Sequence, residues 1–170
     1  MEYKGRALQC NTFENNIAEL KFDSQDESVN KFDKNSLQEL DEVVKQLGKD
    51  QSIKGLLVSS GKDSFIVGAD INQFLGVFQE PLDILVQWVK DGQQVFSNLE
   101  NLNIPSVCAI NGFALGGGFE ICLACTYRVA SKQAKVGLPE VKLGLLPGFG
   151  GTARLPRLIG ADNALSLIHI

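Results

Sequence analysis

Apolar and polar residues alternate along Ile17-Ala-Glu-Leu-Lys-Phe22, the two-residue period of a half-buried strand. A polar turn follows over Asp23 to Ser28, and Val29 to Phe32 predicts a second short extended piece. The period then changes. Leu37, Leu40, Val43, Val44 and Leu47 recur three and four apart, which marks one face of a helix. Ser36-Leu-Gln-Glu39 has the spacing of a capping box and predicts the helix start, while Gly48 predicts its stop.

Further along, continuous apolar runs replace alternation. Gly55-Leu-Leu-Val-Ser59 and Ser106-Val-Cys-Ala-Ile110 have the length of buried strands. Phe65-Ile-Val67 is another apolar run, broken by Gly68, and Asp70 to Phe78 predicts a helix. Pro81 opens a longer helix through Leu85, Trp88, Val89, Phe96 and Leu99. Gly112 to Gly118 predicts a loop, and Phe119 to Cys125 a helix start. Tyr127 to Ala130 and Lys135 to Gly137 predict short strands, and Pro147 to Gly151 a second glycine-rich turn. Thr152 to Ile159 and a segment from Asp162 predict the last two helices. Strands alternate with helices, so the fold class is α/β. Residues 1–170 are expected to form one domain without linker or repeat. Because the chain stops within a helical pattern, Leu165-Ser-Leu-Ile-His-Ile170, that domain is expected to be incomplete at its C-terminus.

Bulk properties narrow the function classes. A content of 44% hydrophobic and 21% charged residues is ordinary for a globular protein. The net charge of −4 argues against nucleic-acid or anionic-membrane binding, which calls for a basic surface. No apolar run reaches the length of a membrane span. Met1-Glu-Tyr-Lys-Gly5 contains no apolar signal segment, so a reduced, cytoplasmic protein is expected. Cys108, Cys122 and Cys125 sit in apolar runs, where a free cysteine packs as a small hydrophobe; Cys10 is the fourth. Cys122-Leu-Ala-Cys125 is a CxxC, but a redox pair needs an exposed, electropositive setting, and core packing is the expectation.

Two glycine-rich loops invite a phosphate reading. Neither is followed by the Lys-Ser/Thr pair of a P-loop. Gly148-Phe-Gly-Gly-Thr-Ala153 fits a dinucleotide fingerprint locally, yet Pro147 precedes it and no acidic partner follows at the required distance. The third reading concerns Gly116-Gly-Gly118, between a buried strand and a helix start. The first N–H groups of a helix have no internal partner and sit at its positive end, so such a turn can hold an oxyanion. A tight turn with close strand–helix packing is the simpler account of the glycines alone.

Two carboxylates stand out by their surroundings. Glu120 lies in Gly116-Gly-Gly-Phe-Glu-Ile-Cys122, within the mostly apolar segment from Ser106 to Cys125. Glu140 follows in Val136-Gly-Leu-Pro-Glu-Val141. Burial raises a carboxylate's pKa and suits it to proton transfer near neutrality. The residues alone leave catalysis and a structural role open for Glu120, and lean toward a structural or loop role for Glu140. Lys54, Lys62 and Lys142 are basic candidates for phosphate contacts, with solvated surface as the simpler reading. Trp88, on an apolar helix face, is expected in the core.

Four segments together resemble the enoyl-CoA hydratase/isomerase (crotonase) family in order and spacing. They are Phe65-Ile-Val-Gly-Ala-Asp-Ile71, Ala109-Ile-Asn-Gly-Phe-Ala-Leu-Gly-Gly-Gly-Phe-Glu120, Gly137-Leu-Pro-Glu-Val-Lys-Leu-Gly144 and Pro147-Gly-Phe-Gly-Gly-Thr152. The resemblance runs from about Ala18 to Ala164 and extends to hydratase modules of multifunctional fatty-acid oxidation enzymes. It implies a spiral of repeated ββα units. It implies that the N–H groups of Ala69 and Gly117 form the oxyanion hole, that Glu120 activates the attacking water, and that Glu140 delivers a proton. It implies a coenzyme A pocket lined by Val29, Asn30, Lys31, Val67, Gly68 and Asp70, largely through backbone groups. Asp70 serves equally well as a helix cap. The implied partner is an acyl-CoA thioester substrate. Hydration needs no cofactor beyond the coenzyme A of the substrate, and no metal. NAD would belong only to a dehydrogenase region that this chain lacks. The full-length parent would associate as a homo-oligomer or with a thiolase β-subunit. The expected reaction is hydration of trans-2-enoyl-CoA, with a companion Δ3–Δ2 isomerisation. Thioester hydrolysis on the same fold, or a non-catalytic CoA-binding or assembly fragment, are the alternatives. The only histidine is His169, at the chain's end, which disfavours Ser-His-Asp and zinc chemistry.

Overall fold

The computed structural model describes residues 1–77 and 79–169; the expected helix end at Phe78 and the side chains of Phe74, Leu75, Val77 and His169 lie outside the described residues. The strands are β1 (Glu2–Lys4), β2 (Leu8–Thr12), β3 (Ile17–Phe22), β4 (Gly55–Ser60), β5 (Ser106–Ile110), β6 (Phe113–Leu115), β7 (Tyr127–Ala130) and β8 (Lys135–Gly137). The helices are α1 (Lys34–Lys49), α2 (Ile71–Val77), α3 (Leu82–Glu100), α4 (Gly117–Ala124), α5 (Gly151–Ile159) and α6 (Ala161–His169).

Six strands form one sheet in the order β1-β2-β3-β4-β5-β7. β1 to β3 are an antiparallel meander; from β3 onward every pairing is parallel. A parallel pair needs a crossover, and here each crossover also contributes to a second, shorter layer. That layer consists of the β6–β8 pair and the isolated bridges Phe32–Ala69 and Ile66–Ala114. Each turn of chain thus lays one strand in the large sheet, a short extended piece in the small layer, and then a helix. This is the ββα spiral that the resemblance implied.

The two faces of β3 show why it pairs as it does. Ala18, Leu20 and Phe22 point into the core, and Ile17, Glu19 and Lys21 alternate with them. α1 buries Leu37, Leu40, Val43, Val44 and Leu47, the stripe expected from its periodicity. Its start differs from the expectation. Asp33 is the N-cap and accepts from the Ser36 N–H at 2.7 Å, while Ser36 Oγ accepts from the Asp33 N–H at 2.8 Å. The capping box is therefore Asp33–Ser36, and Glu39 is released for another contact. β1 and β2 were not anticipated, although Leu8-Gln-Cys-Asn-Thr12 does alternate; Leu8 and Cys10 are buried. The glycine-rich stretch after Gly112 holds β6, and α4 starts at Gly117 rather than Phe119.

α4 runs through the centre of the molecule, and every one of its residues is buried. A helix apolar on all sides has no other place to go. Its fit depends on Gly118: a side-chain carbon there would lie 2.0 Å from the Ile66 carbonyl oxygen. A row of aromatic rings links the sheet to α3, with centroids 5.8 Å apart for Phe22–Phe32, 5.4 Å for Phe32–Phe96, 5.2 Å for Phe96–Phe149 and 5.6 Å for Phe149–Trp88. Such pairs add about 0.5–1.5 kcal/mol each beyond their buried area. Trp88 is half-buried against this core. All four cysteines are free and buried, and Cys108 Sγ lies 3.3 Å from Cys122 Sγ, so the CxxC belongs to the packing. Among the described residues no helix is long and apolar enough to cross a membrane.

Candidate active site

Three separate turns of the spiral meet at the N-terminus of α4. The first is Val67 to Asp70. Phe32 N–H donates to the Gly68 carbonyl at 2.7 Å, and Asp70 N–H donates to the Phe32 carbonyl at 2.7 Å. In a parallel bridge the residue between those two groups points its own N–H the other way. That residue is Ala69, whose N–H makes no hydrogen bond among the described residues.

The second is Leu115 to Glu120. Gly116 N–H donates to the Gly137 carbonyl at 2.9 Å, and the Phe119 and Glu120 N–H groups both reach back to the Gly116 carbonyl. The Gly117 N–H is left over, at the positive end of α4 and without a partner among the described residues. The two turns are in contact: a side-chain carbon on Gly116 would lie 3.8 Å from the Gly68 Cα. The same point would be 3.2 Å from Glu140 Oε1. Glu140 comes from the third turn, a 3-10 turn over Pro139–Leu143 that the sequence did not announce.

Both carboxyls are displaced from ordinary behaviour. Glu120 is 1% exposed, and burial pushes its pKa up to about 7. The Gly151 and Phe149 N–H groups, which donate to Oε1 at 2.7 and 2.9 Å, pull it back down, while the nearby Glu140 charge pushes it up. The second oxygen, Oε2, accepts no hydrogen bond among the described residues. Burial also raises the Glu140 pKa. Glu140 Oε2 is buried without a hydrogen-bond partner. A buried acceptor left open costs about 1–3 kcal/mol unless something fills it, so this oxygen awaits a ligand, a water or a proton.

The remaining expected residues divide. Val29, Asn30 and Lys31 lie beside Val67 to Asp70: Val67 N–H donates to the Asn30 carbonyl at 2.9 Å, and Lys31 Nζ pairs with Asp70 at 2.9 Å. The Asn30 side chain, however, is turned inward. Its amide nitrogen donates to the Phe22 and Phe65 carbonyls and to Ser60 Oγ, so it pins loops together. Asp70 is occupied twice, by Lys31 and by the Asn72 and Gln73 N–H groups at the start of α2; the hydrogen bond from Lys31 holds its carboxyl below the usual range. Lys62 pairs with Asp23 at 3.2 Å. A cavity of about 820 Å³ opens next to Ala69 between α1, α2 and α3, with Trp88, Gly92 and Val95 on its α3 wall. A second of about 290 Å³ holds Lys31 and Arg6, and Asp33 borders both. Among the described residues no group of three metal-ligating side chains occurs.

Reasoning from sequence missed the anchors of Glu120. The stretch Gly148-Phe-Gly-Gly151 attracted attention as a dinucleotide fingerprint, but no strand leads into it, and its N–H groups hold a protein carboxylate. A buried carboxylate requires donors, and that demand was the available signal.

The fold and this pair of acids define a class. The chain belongs to the enoyl-CoA hydratase/isomerase family, whose model matches residues 12–169. It is 55% identical over 168 residues to "Fatty acid oxidation complex subunit alpha" of Pseudomonas entomophila (strain L48), covering 99% of this chain and 24% of that one. The same-named protein of Ectopseudomonas oleovorans is 54% identical over the same length. The chain thus spans about a quarter of the curated relatives it matches. Among solved structures it is similar to the enoyl-CoA hydratase of Bacillus anthracis, with a TM-score of 0.86 and 30% identity over 96% of this chain and 62% of that one. A Geobacillus kaustophilus HTA426 enoyl-CoA hydratase structure gives 0.89 and 31%, covering 98% and 62%.

Proposed function

We propose that the chain is the hydratase module of a fatty-acid β-oxidation enzyme and adds water to trans-2-enoyl-CoA to give 3-hydroxyacyl-CoA. One observation carries this reading: buried Glu120 and half-buried Glu140, both with raised pKa and close enough for their charges to interact, lie by a turn that also presents two unengaged backbone N–H groups. Conjugate addition builds negative charge on the thioester oxygen. The Ala69 and Gly117 N–H groups receive that charge, and one such donor is worth about 10²–10³ in rate. Glu120, ionised, takes a proton from water as the oxygen attacks C3. Glu140, protonated, gives its proton to C2. Each transfer contributes roughly 10²–10⁴.

The 820 Å³ cavity beside Ala69 suits the acyl chain. The neighbouring cavity with Lys31 and Arg6 suits the phosphates of coenzyme A. The same enolate and the same two acids serve Δ3–Δ2 isomerisation, which moves a proton between C2 and C4. The four free cysteines fit a reducing compartment, and we read the protein as cytoplasmic. In the full-length protein we expect a homo-oligomer or a complex with a thiolase subunit, with NAD used only by a separate dehydrogenase region.

The test is hydration of crotonyl-CoA by the full-length protein, read as loss of the enoyl-thioester absorbance. Turnover that survives undiminished in both Glu120→Gln and Glu140→Gln would remove the proposal.

A further inference from the structure

Gly92 stands in the buried stripe of α3 with Val95, Phe96 and Leu99. Glycine inside a helix costs about 1 kcal/mol relative to alanine, so the position needs a reason. The reason is Phe149. A side-chain carbon on Gly92 would lie 2.3 Å from Phe149 Cε1 and 2.7 Å from Cδ1. The ring sits in that notch, packed against Trp88 and Phe96. Its other edge faces the oxyanion turn, 3.4 Å from where a side-chain carbon on Gly117 would be. The main chain of the same residue donates to Glu120 Oε1.

The turn that carries Phe149 is flanked by glycines 148 and 150, and so has little stiffness of its own. Its position comes from α3. Gln93 donates to the Gly148 carbonyl at 2.8 Å. Arg154 donates to the Phe149 carbonyl at 2.9 Å while pairing with Glu100. The Gln93 contact is exposed and the Arg154 contact is part-buried, whereas Phe149, its ring in the Gly92 notch, is 5% exposed and packed on the apolar neighbours named.

We propose that Phe149 is a positioning residue for Glu120: its ring, seated in the notch at Gly92 beneath Trp88, makes the α3 wall of the large cavity and the anchor of the base one packing unit. The inference rests on the hydratase reading. An acyl chain that fills the cavity presses on Trp88 and Gly92, and so on the ring whose main chain holds the base. Misplacement by about an ångström costs on the order of a hundredfold in rate.

The test uses the full-length protein with Phe149→Ala, Phe149→Leu and Gly92→Ala, measuring kcat, KM and the pH profile with crotonyl-CoA. Phe149→Ala should lower kcat roughly ten- to hundredfold with little change in KM. The charged groups facing Glu120 are Glu140 from the 3-10 turn and Arg154 from α5, and both remain in the variant. A loosened N–H bond favours the carboxylate less, so the acid limb of kcat should move to higher pH. Phe149→Leu, which refills most of the notch, should recover most of the rate. Gly92→Ala should lower kcat and shift the limb in the same direction, although alanine favours the helix. If Phe149→Ala does not fold, the other two variants carry the test. An unmoved acid limb in every variant that folds overturns the inference, even where the folded fraction falls. An infrared or NMR titration of the Glu120 carboxyl reads the same shift without turnover. A wild-type protein that hydrates no enoyl-CoA, yet whose Glu120 titration moves in Phe149→Leu or Gly92→Ala, would sink the hydratase reading while keeping the packing unit.

Discussion

Glu39 and Glu120 are both helix carboxylates that the fold closes over, 8% and 1% exposed, and their oxygens are used in opposite ways. Glu39 is saturated. Its Oε1 accepts from the Arg6 N–H at 2.8 Å and from the Asn35 amide at 2.9 Å; its Oε2 accepts from the Ala7 and Leu8 N–H groups, both at 3.0 Å. Four donors leave no acceptor free, and the carboxylate staples the β1–β2 turn to α1. Glu120 has both its donors on one oxygen and keeps the other open beside Glu140 and the unengaged amides. Burial alone therefore says little about a carboxylate's work. The distribution of donors over its two oxygens says more.

The comparison makes opposite forecasts for the same chemical change. Glutamine at 120 keeps an oxygen for both anchoring N–H groups, so Glu120→Gln should fold normally and lose 10²–10⁴ in crotonyl-CoA hydration. Glutamine at 39 must turn an NH₂ group toward N–H donors. Glu39→Gln should then cost about 2–4 kcal/mol in urea unfolding while leaving turnover per folded molecule intact. A Glu39 variant that is stable but inactive would dissolve the distinction.

The pH dependence sharpens the contrast. Burial holds the Glu120 pKa at about 7 in the fold against an ordinary value of 4.5, so the folded protein binds more protons than the unfolded chain between those values. Stability from this group is fully present below about 4.5 and is lost as pH rises to about 7. Glu140, also raised, acts with the same sign. Glu120→Gln should flatten that fall by roughly 2–4 kcal/mol, measured as urea midpoints across the window. Hydration should in turn decline on the acid side of about pH 7, where Glu120 takes up its proton. A wild type whose stability rises across this window would contradict the burial argument.

The smallest effect concerns the helix that carries Glu39. Asp33→Ala should cost about 1 kcal/mol in urea unfolding, the usual worth of an N-cap. Ser36→Ala should overlap with it in a double-mutant cycle, because the two residues cap each other. Additive effects would mean the box works as two separate contacts.

Much of this was legible in the chain. β3, β5, β7 and β8 lie where alternation or a short apolar run placed them, and the α1 stripe is the one its spacing predicted. The apolar neighbourhood of Glu120 already marked it as unusual. The placement of the capping box was not legible: Ser36 begins one box with Glu39 and completes another with Asp33, and local spacing satisfies both. The β1–β2 meander escaped because its strands are short and β1 carries a single inward-facing residue, Tyr3, too few to show a period. Glu140 could be named but not placed, since a proline-led stretch gives no periodicity.

By itself, the sequence named the two acids as catalytic only through the family resemblance, but it determined the class of fold and most of the strands and helices. These depend on period, apolar run length and turn chemistry, which act between neighbours in the chain. Only the tertiary structure decided which N–H groups stay unengaged, which carboxylate is saturated, and that a glycine in α3 makes room for the ring behind the base. Those outcomes depend on donors and surfaces brought together from tens of residues apart, and no local pattern records such a meeting.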